Sequence, residues 1–83
     1  MTVYIEIPDP RDPGDWIHVD TFDDVDCLPR VGEHVCISPL GDVYAEGLIA
    51  AGLKSDEVEG RVTEVAWICF EGELQVHVRL GAA

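Results

Sequence analysis

The chain has 83 residues, 47% of them hydrophobic, and carries 17 Asp and Glu against five Lys and Arg, a formal net charge of -12. A chain of this length makes one small domain over residues 1–83, with room for a single core and little to wall a deep active site, and its hydrophobic share excludes a disordered acidic tail. Five bases, no two adjacent in sequence, cannot offset the field of the acids, which excludes direct binding of nucleic acid or adhesion to an anionic membrane.

The N-terminus, Met1-Thr2-Val3-Tyr4-Ile5-Glu6, has no basic stretch followed by a long apolar run, and no segment approaches the roughly 20 apolar residues of a membrane span. A cytoplasmic location is expected. The first element is a strand, because Val3, Ile5 and Ile7 alternate with Tyr4 and Glu6. Pro8, Pro10 and Pro13 then remove ladder donors and favour an extended, polyproline-like or turn path through Gly14. A second strand is expected over residues 16–22, and Asp23-Asp24-Val25-Asp26 reads as a turn or a short helical start. A third strand over 34–38 follows Leu28-Pro29-Arg30-Val31-Gly32-Glu33, and Pro39-Leu40-Gly41-Asp42 ends it.

Residues 43–52 are the one stretch with helical character, with Gly52 placed as a stop and Gly47 weakening the helix by roughly 1 kcal/mol against Ala. An acidic turn over 54–60 leads into residues 61–70, whose two alternating rows both turn apolar toward the far end, as expected of a central strand covered on both faces with Trp67 in the core. Glu71-Gly72-Glu73 makes a short hairpin connection. Leu74, Val76, Val78 and Leu80 then alternate with Gln75, His77 and Arg79, placing the valines inward and His77 outward. The fold class that follows is mainly β: a small curved antiparallel sheet or SH3-like, partly open barrel with one short helix over 43–52.

Residues 28–80 carry a rhythm of Leu28-Pro29-Arg30-Val31-Gly32-Glu33 before a strand, then Gly60-Arg61-Val62 with Val65-Ala66-Trp67, then Val76-His77-Val78-Arg79-Leu80. It resembles small SH3-like β proteins of phage and bacterial origin, with residues 39–59 as an insert that a minimal barrel lacks. In size and acidity the chain also resembles the DNA-mimic inhibitors that phages deploy against restriction and CRISPR systems. That resemblance implies carboxylates standing in for phosphates in the DNA-binding groove of a nuclease, and so a non-enzymatic protein.

The carboxylates that would act this way are bunched: Asp9, Asp12, Asp15, Asp20, Asp23, Asp24 and Asp26 lie within 18 residues that hold one base, Arg11. A polyproline-like path would set Asp9, Asp12 and Asp15 along one edge at about 9 Å intervals. The expected partner is a basic protein surface, one that itself binds nucleic acid, and a homodimer is compatible with the sequence. The alternative is a phage or bacterial structural or adaptor module whose acidic surface is incidental and whose contacts run through an edge strand. Trp16, beside the acidic segment, reads either as an aromatic anchor for a partner or as a cap on the barrel.

Catalytic and metal chemistry find little purchase. His18, His34 and His77 fall in separate strands, and Cys27, His34 and Cys36 lack the paired spacing of a zinc site. Asp23-Asp24-Val25-Asp26 lacks the alternating oxygens and later Gly and Glu of a calcium loop. No metal, cofactor or catalytic residue is expected, and Cys27, Cys36 and Cys69 are expected as buried, reduced thiols.

Overall fold

The computed structural model describes residues 1–38 and 42–81, without the side chains of Asp42 and Val43; the expected break at 39–41 lies outside the described residues. The elements are β1 (Val3–Pro8), β2 (Trp16–Phe22), β3 (His34–Ile37), α1 (Asp42–Ala50), β4 (Val58–Phe70) and β5 (Glu73–Gly81). They form one five-stranded sheet in the order β2-β1-β5-β4-β3. The sheet curls into an open half-barrel, so the mainly β architecture with one short helix is as expected.

The β4–β5 hairpin is where local chemistry is clearest. Phe70 pairs with Glu73, and the two residues between them, Glu71 and Gly72, both have positive φ (51° and 78°), the mirror-image turn that matches strand twist. Val78 and Val76 are fully buried and face Val65 and Trp67 across the hairpin. A bulge between Val62 and Glu64 bends β4 and lets its near end serve β3.

β1 pairs antiparallel with β2, but with β5 it runs parallel, matching Val3 to Val76, Tyr4 to His77, Ile5 to Val78 and Glu6 to Arg79. The sheet is therefore mixed and not wholly antiparallel. A parallel pair needs a long connection, and here nearly the whole chain supplies it.

The core gathers Val3, Ile5, Ile17, Val19, Ile37, Leu48, Val58, Val62, Val76, Val78 and Leu80. Leu48 is the helix's contribution, fully buried and contributing about 1.5–3 kcal/mol. α1 stops as the sequence predicts, though a residue or two earlier: Gly52 takes φ +75°, its N–H donates to the Ile49 carbonyl at 3.0 Å, and Leu53 N–H donates to the Leu48 carbonyl at 2.9 Å. This is the left-handed glycine cap, with Leu53 folded back toward the core. At nine residues α1 is far too short to span a bilayer, and among the described residues no helix is long and apolar enough to cross a membrane.

Four expectations give way. Trp67 is 55% exposed, and Phe70 and Leu74 are 59% and 56% exposed. The far end of β4 is thus not covered on both faces, because β1 ends at Val3 opposite Val76 and no described strand lies beyond it. The three cysteines, expected to be buried, are exposed. β4 begins at Val58, taking in residues expected to be turn. His77 does face away from the valines, but its side chain is only 16% exposed.

Gly60 marks a contact no side chain could share. A Cβ placed there would sit 2.3 Å from the Gly81 carbonyl oxygen and 3.3 Å from Leu80 Cβ. Gly60→Ala, which in a strand free of contacts would gain stability, should instead cost about 1–3 kcal/mol through overpacking. Urea denaturation reads this directly, and a variant as stable as the native protein would contradict the β4–β5 approach described.

Candidate functional site

The segment 8–14 is not polyproline-like. It is the tight loop of the β1–β2 hairpin, in which Asp9 N–H donates to the Asp15 carbonyl at 3.0 Å, Asp12 N–H to Asp9 at 3.4 Å and Asp15 N–H to Asp12 at 3.1 Å. The two strands it joins pull its ends together, which overrides the prolines' preference for extension. The expected 9 Å ladder is absent, and Asp9, Asp12 and Asp15 crowd one loop instead.

Each carboxylate in that loop has a different standing. Asp9 accepts Arg11 Nε on Oδ1 and Arg11 Nη2 on Oδ2, both at 3.1 Å, and the Arg11 backbone N–H at 2.9 Å. The hydrogen bond from the Arg11 side chain holds its carboxyl below the ordinary value. Arg11 Nη1 also donates to the Ala50 carbonyl at 3.4 Å, tying the loop to the end of α1. Asp15 goes the other way, held above its ordinary value by the hydrogen bond to Asp12 and by that neighbour's charge.

Asp20 lies half-buried on β2 and accepts the Thr21 N–H at 2.7 Å. Asp23 accepts Thr2 Oγ1 at 3.1 Å, Asp24 turns the chain with φ 56°, and Val25 N–H donates to the Met1 carbonyl at 3.0 Å. The structure thus parts six of the seven carboxylates into two groups, Asp9, Asp12 and Asp15 in one loop and Asp23, Asp24 and Asp26 in the other, with Asp20 on the strand between them. One group sits on each end of edge strand β2, whose seven residues separate them by about 20 Å.

A second constellation, invisible along the sequence, lies on the sheet's outer face. Tyr4 stacks on His77 at 4.9 Å and 19°, and meets His18 edge-on at 5.3 Å. His18 continues to Tyr44 of α1 at 5.2 Å. Glu6 Oε1 accepts His77 Nδ1 at 3.0 Å and Arg79 Nε at 3.3 Å, while Arg79 also pairs with Glu64 and lies 4.8 Å over the Trp16 ring. The β1–β5 register builds this cluster, since it sets Tyr4 beside His77 and Glu6 beside Arg79.

The histidine–carboxylate pair is enclosed by further polar groups. His77 Nε2 is within 3.2 Å of Gln75 Oε1, so both its nitrogens are engaged, and His18 Nε2 is 2.7 Å from Thr21 Oγ1. The polar atoms face one another and not a cavity. This is a satisfied polar layer that cements the outer face.

A recess lies elsewhere among the described residues. An open apolar recess of about 420 Å³ sits between Ile7, Pro8, Leu48, Leu53, Val58 and Leu80, with Lys54 and Glu57 at its rim. Lys54 Nζ donates to Glu57 Oε1 at 3.0 Å, so the rim charges serve each other. His34 Nε2 lies 3.3 Å from Glu59 Oε2, across the β3–β4 ladder. Among the described residues no three His, Cys, Asp or Glu side chains converge to hold a metal ion.

Set against protein-family models, curated proteins and solved structures, the chain matches none.

His18 gives the outer layer a pH signature. Burial lowers its pKa, the Glu6 charge working against that and the His77 charge with it. The unfolded chain therefore binds the proton first, so this contribution to stability is full above about pH 6.5 and is lost as the pH falls through the lowered folded value. Urea midpoints of the native protein should fall across that window. His18→Gln should flatten that part of the profile, and an unchanged profile would remove His18 as its source.

Proposed function

We propose that the chain is a non-enzymatic binding module that docks a positively charged partner through the carboxylate-rich loops at the two ends of β2. In its finer form the module is an inhibitor that occupies the nucleic-acid-binding surface of a CRISPR or related nuclease complex, its carboxylates standing in for phosphates.

The observation that carries this reading is how little of the negative charge is spent inside the molecule. No charged side chain is buried among the described residues. Of the seven clustered carboxylates only Asp9 has an Arg or Lys partner there, leaving Asp12, Asp15, Asp20, Asp23, Asp24 and Asp26 without one. Asp12 and Asp15 lie close enough to raise the Asp15 pKa. A fold gains nothing by setting like charges together, but a cationic surface would relieve the repulsion on contact and gain on-rate by steering. Two anionic loops about 20 Å apart offer two points of attachment.

The adaptor reading keeps one observation of its own. Trp67, Phe70 and Leu74 form an exposed apolar end of the β4–β5 hairpin, well away in sequence from the acidic loops. An interface centred there would use aromatic contacts and would owe little to charge.

Two Asn series separate the readings. Asp12→Asn with Asp15→Asn, and Asp23→Asn with Asp24→Asn and Asp26→Asn, should each weaken binding to a purified nuclease complex about tenfold or more and restore its binding of DNA. Stability should hold or rise, because removing a like charge beside Asp15 relieves repulsion. Added salt should weaken the native interaction steeply. If the Asn series inhibit as well as the native chain, or inhibition ignores salt, the acidic loops are not the docking surface.

A further inference from the structure

The β3 strand covers only the first part of β4. His34, Val35, Cys36 and Ile37 pair with Arg61, Gly60, Glu59 and Val58. The turn before β3 adds the last bonds on that side, Gly32 N–H to the Val62 carbonyl at 2.8 Å and Val62 N–H to the Glu33 carbonyl at 2.9 Å. Over residues 63–70 β4 is hydrogen-bonded to β5 on one side, and no described main-chain group bonds it on the other.

Exposed edges are normally guarded by Lys, by Pro or by a charged side chain. This one is not: residues 65–70 read Val-Ala-Trp-Ile-Cys-Phe, with no charge and no Pro. Trp67 and Phe70 within it, and Leu74 across the hairpin, are all more than half exposed. In a chain of net charge -12, a cationic partner would be drawn to the carboxylate loops and not to this strip. For a second copy of the chain, equally acidic, this uncharged strip is where the repulsion is least.

We propose that β4 is a self-association edge, on which a second copy of this chain pairs antiparallel over residues 64–70 about a two-fold axis at Trp67. The register follows from symmetry. Trp67 faces Trp67 of the second copy, Ala66 faces Ile68, Val65 faces Cys69 and Glu64 faces Phe70, so no carboxylate lies directly opposite another. The two Glu64 residues sit at opposite ends of the ladder, about 20 Å apart, beyond the Debye length of about 8 Å at physiological salt. Each is already paired with its own Arg79. The pairing joins two five-stranded sheets into one and sets Trp67 of one copy beside Trp67 of the other.

Salt separates this proposal from the acidic-loop reading, because the two respond with opposite signs and neither rests on the other. Sedimentation equilibrium of the full chain over a wide concentration range should show the mass rising from 9.1 kDa toward twice that value. Added salt should strengthen the association by screening the repulsion between copies. Trp67→Lys, at an exposed position that leaves the core untouched, should weaken it about tenfold or more. Amide exchange over residues 64–70 should slow with protein concentration in the native chain and not in the variant. A chain that stays monomeric at every concentration and salt, a dimer that salt dissolves, a Trp67→Lys variant that associates as tightly as the native, or exchange over 64–70 indifferent to concentration would each overturn the proposal.

Discussion

The parallel pairing of β1 with β5 is the contact on which the rest of the molecule depends. One register, Val3 to Val76 through Glu6 to Arg79, does two things at once because side chains alternate across a sheet. On the inner face it seals Val3, Ile5, Val76 and Val78 into the core, and on the outer face it assembles Tyr4, His77, Glu6 and Arg79. Shifting it by one residue would send the valines to the polar layer and Arg79 into the core. β1 also carries β2 with it, and the acidic loops hang from the two ends of β2.

The arrangement explains how so acidic a small domain can hold together. Six of its 17 carboxylates are placed where the sheet has ended, in the loops 9–15 and 23–26, and the few bases are spent locally. Arg11 fastens Asp9 to the end of α1, Arg79 bridges Glu6 and Glu64 under Trp16, and Lys54 serves Asp56 and Glu57. Self-repulsion then falls on surface loops, where its energetic cost is small in water and at physiological salt.

Local signals carried most of the secondary structure. Alternation over Val76, Val78 and Leu80 located β5 and its buried face, though Leu74 at its start is exposed, and Gly52 located the end of α1 because only glycine takes that cap without strain. What stayed illegible was set by distance. Nothing along the chain says that Tyr4 meets His77 across more than seventy residues, or that they do so in parallel, so the outer polar layer could not be read in advance. The proline segment was misjudged because a hairpin's closure outweighs local preference. Trp67 and Cys69 carry the apolar signature of a core, but the half-barrel ends before it reaches them, and apolar pattern alone does not distinguish a covered strand from an exposed edge.

The register itself is open to one decisive measurement, a nuclear Overhauser map of contacts between β1 and β5. The account predicts contacts whose numbers rise together, Val3 to Val76, Tyr4 ring to His77 ring and Ile5 to Val78, with Glu6 beside Arg79. Contacts whose numbers run in opposite directions, a register offset by one or more residues, or no contact between the two strands would contradict it.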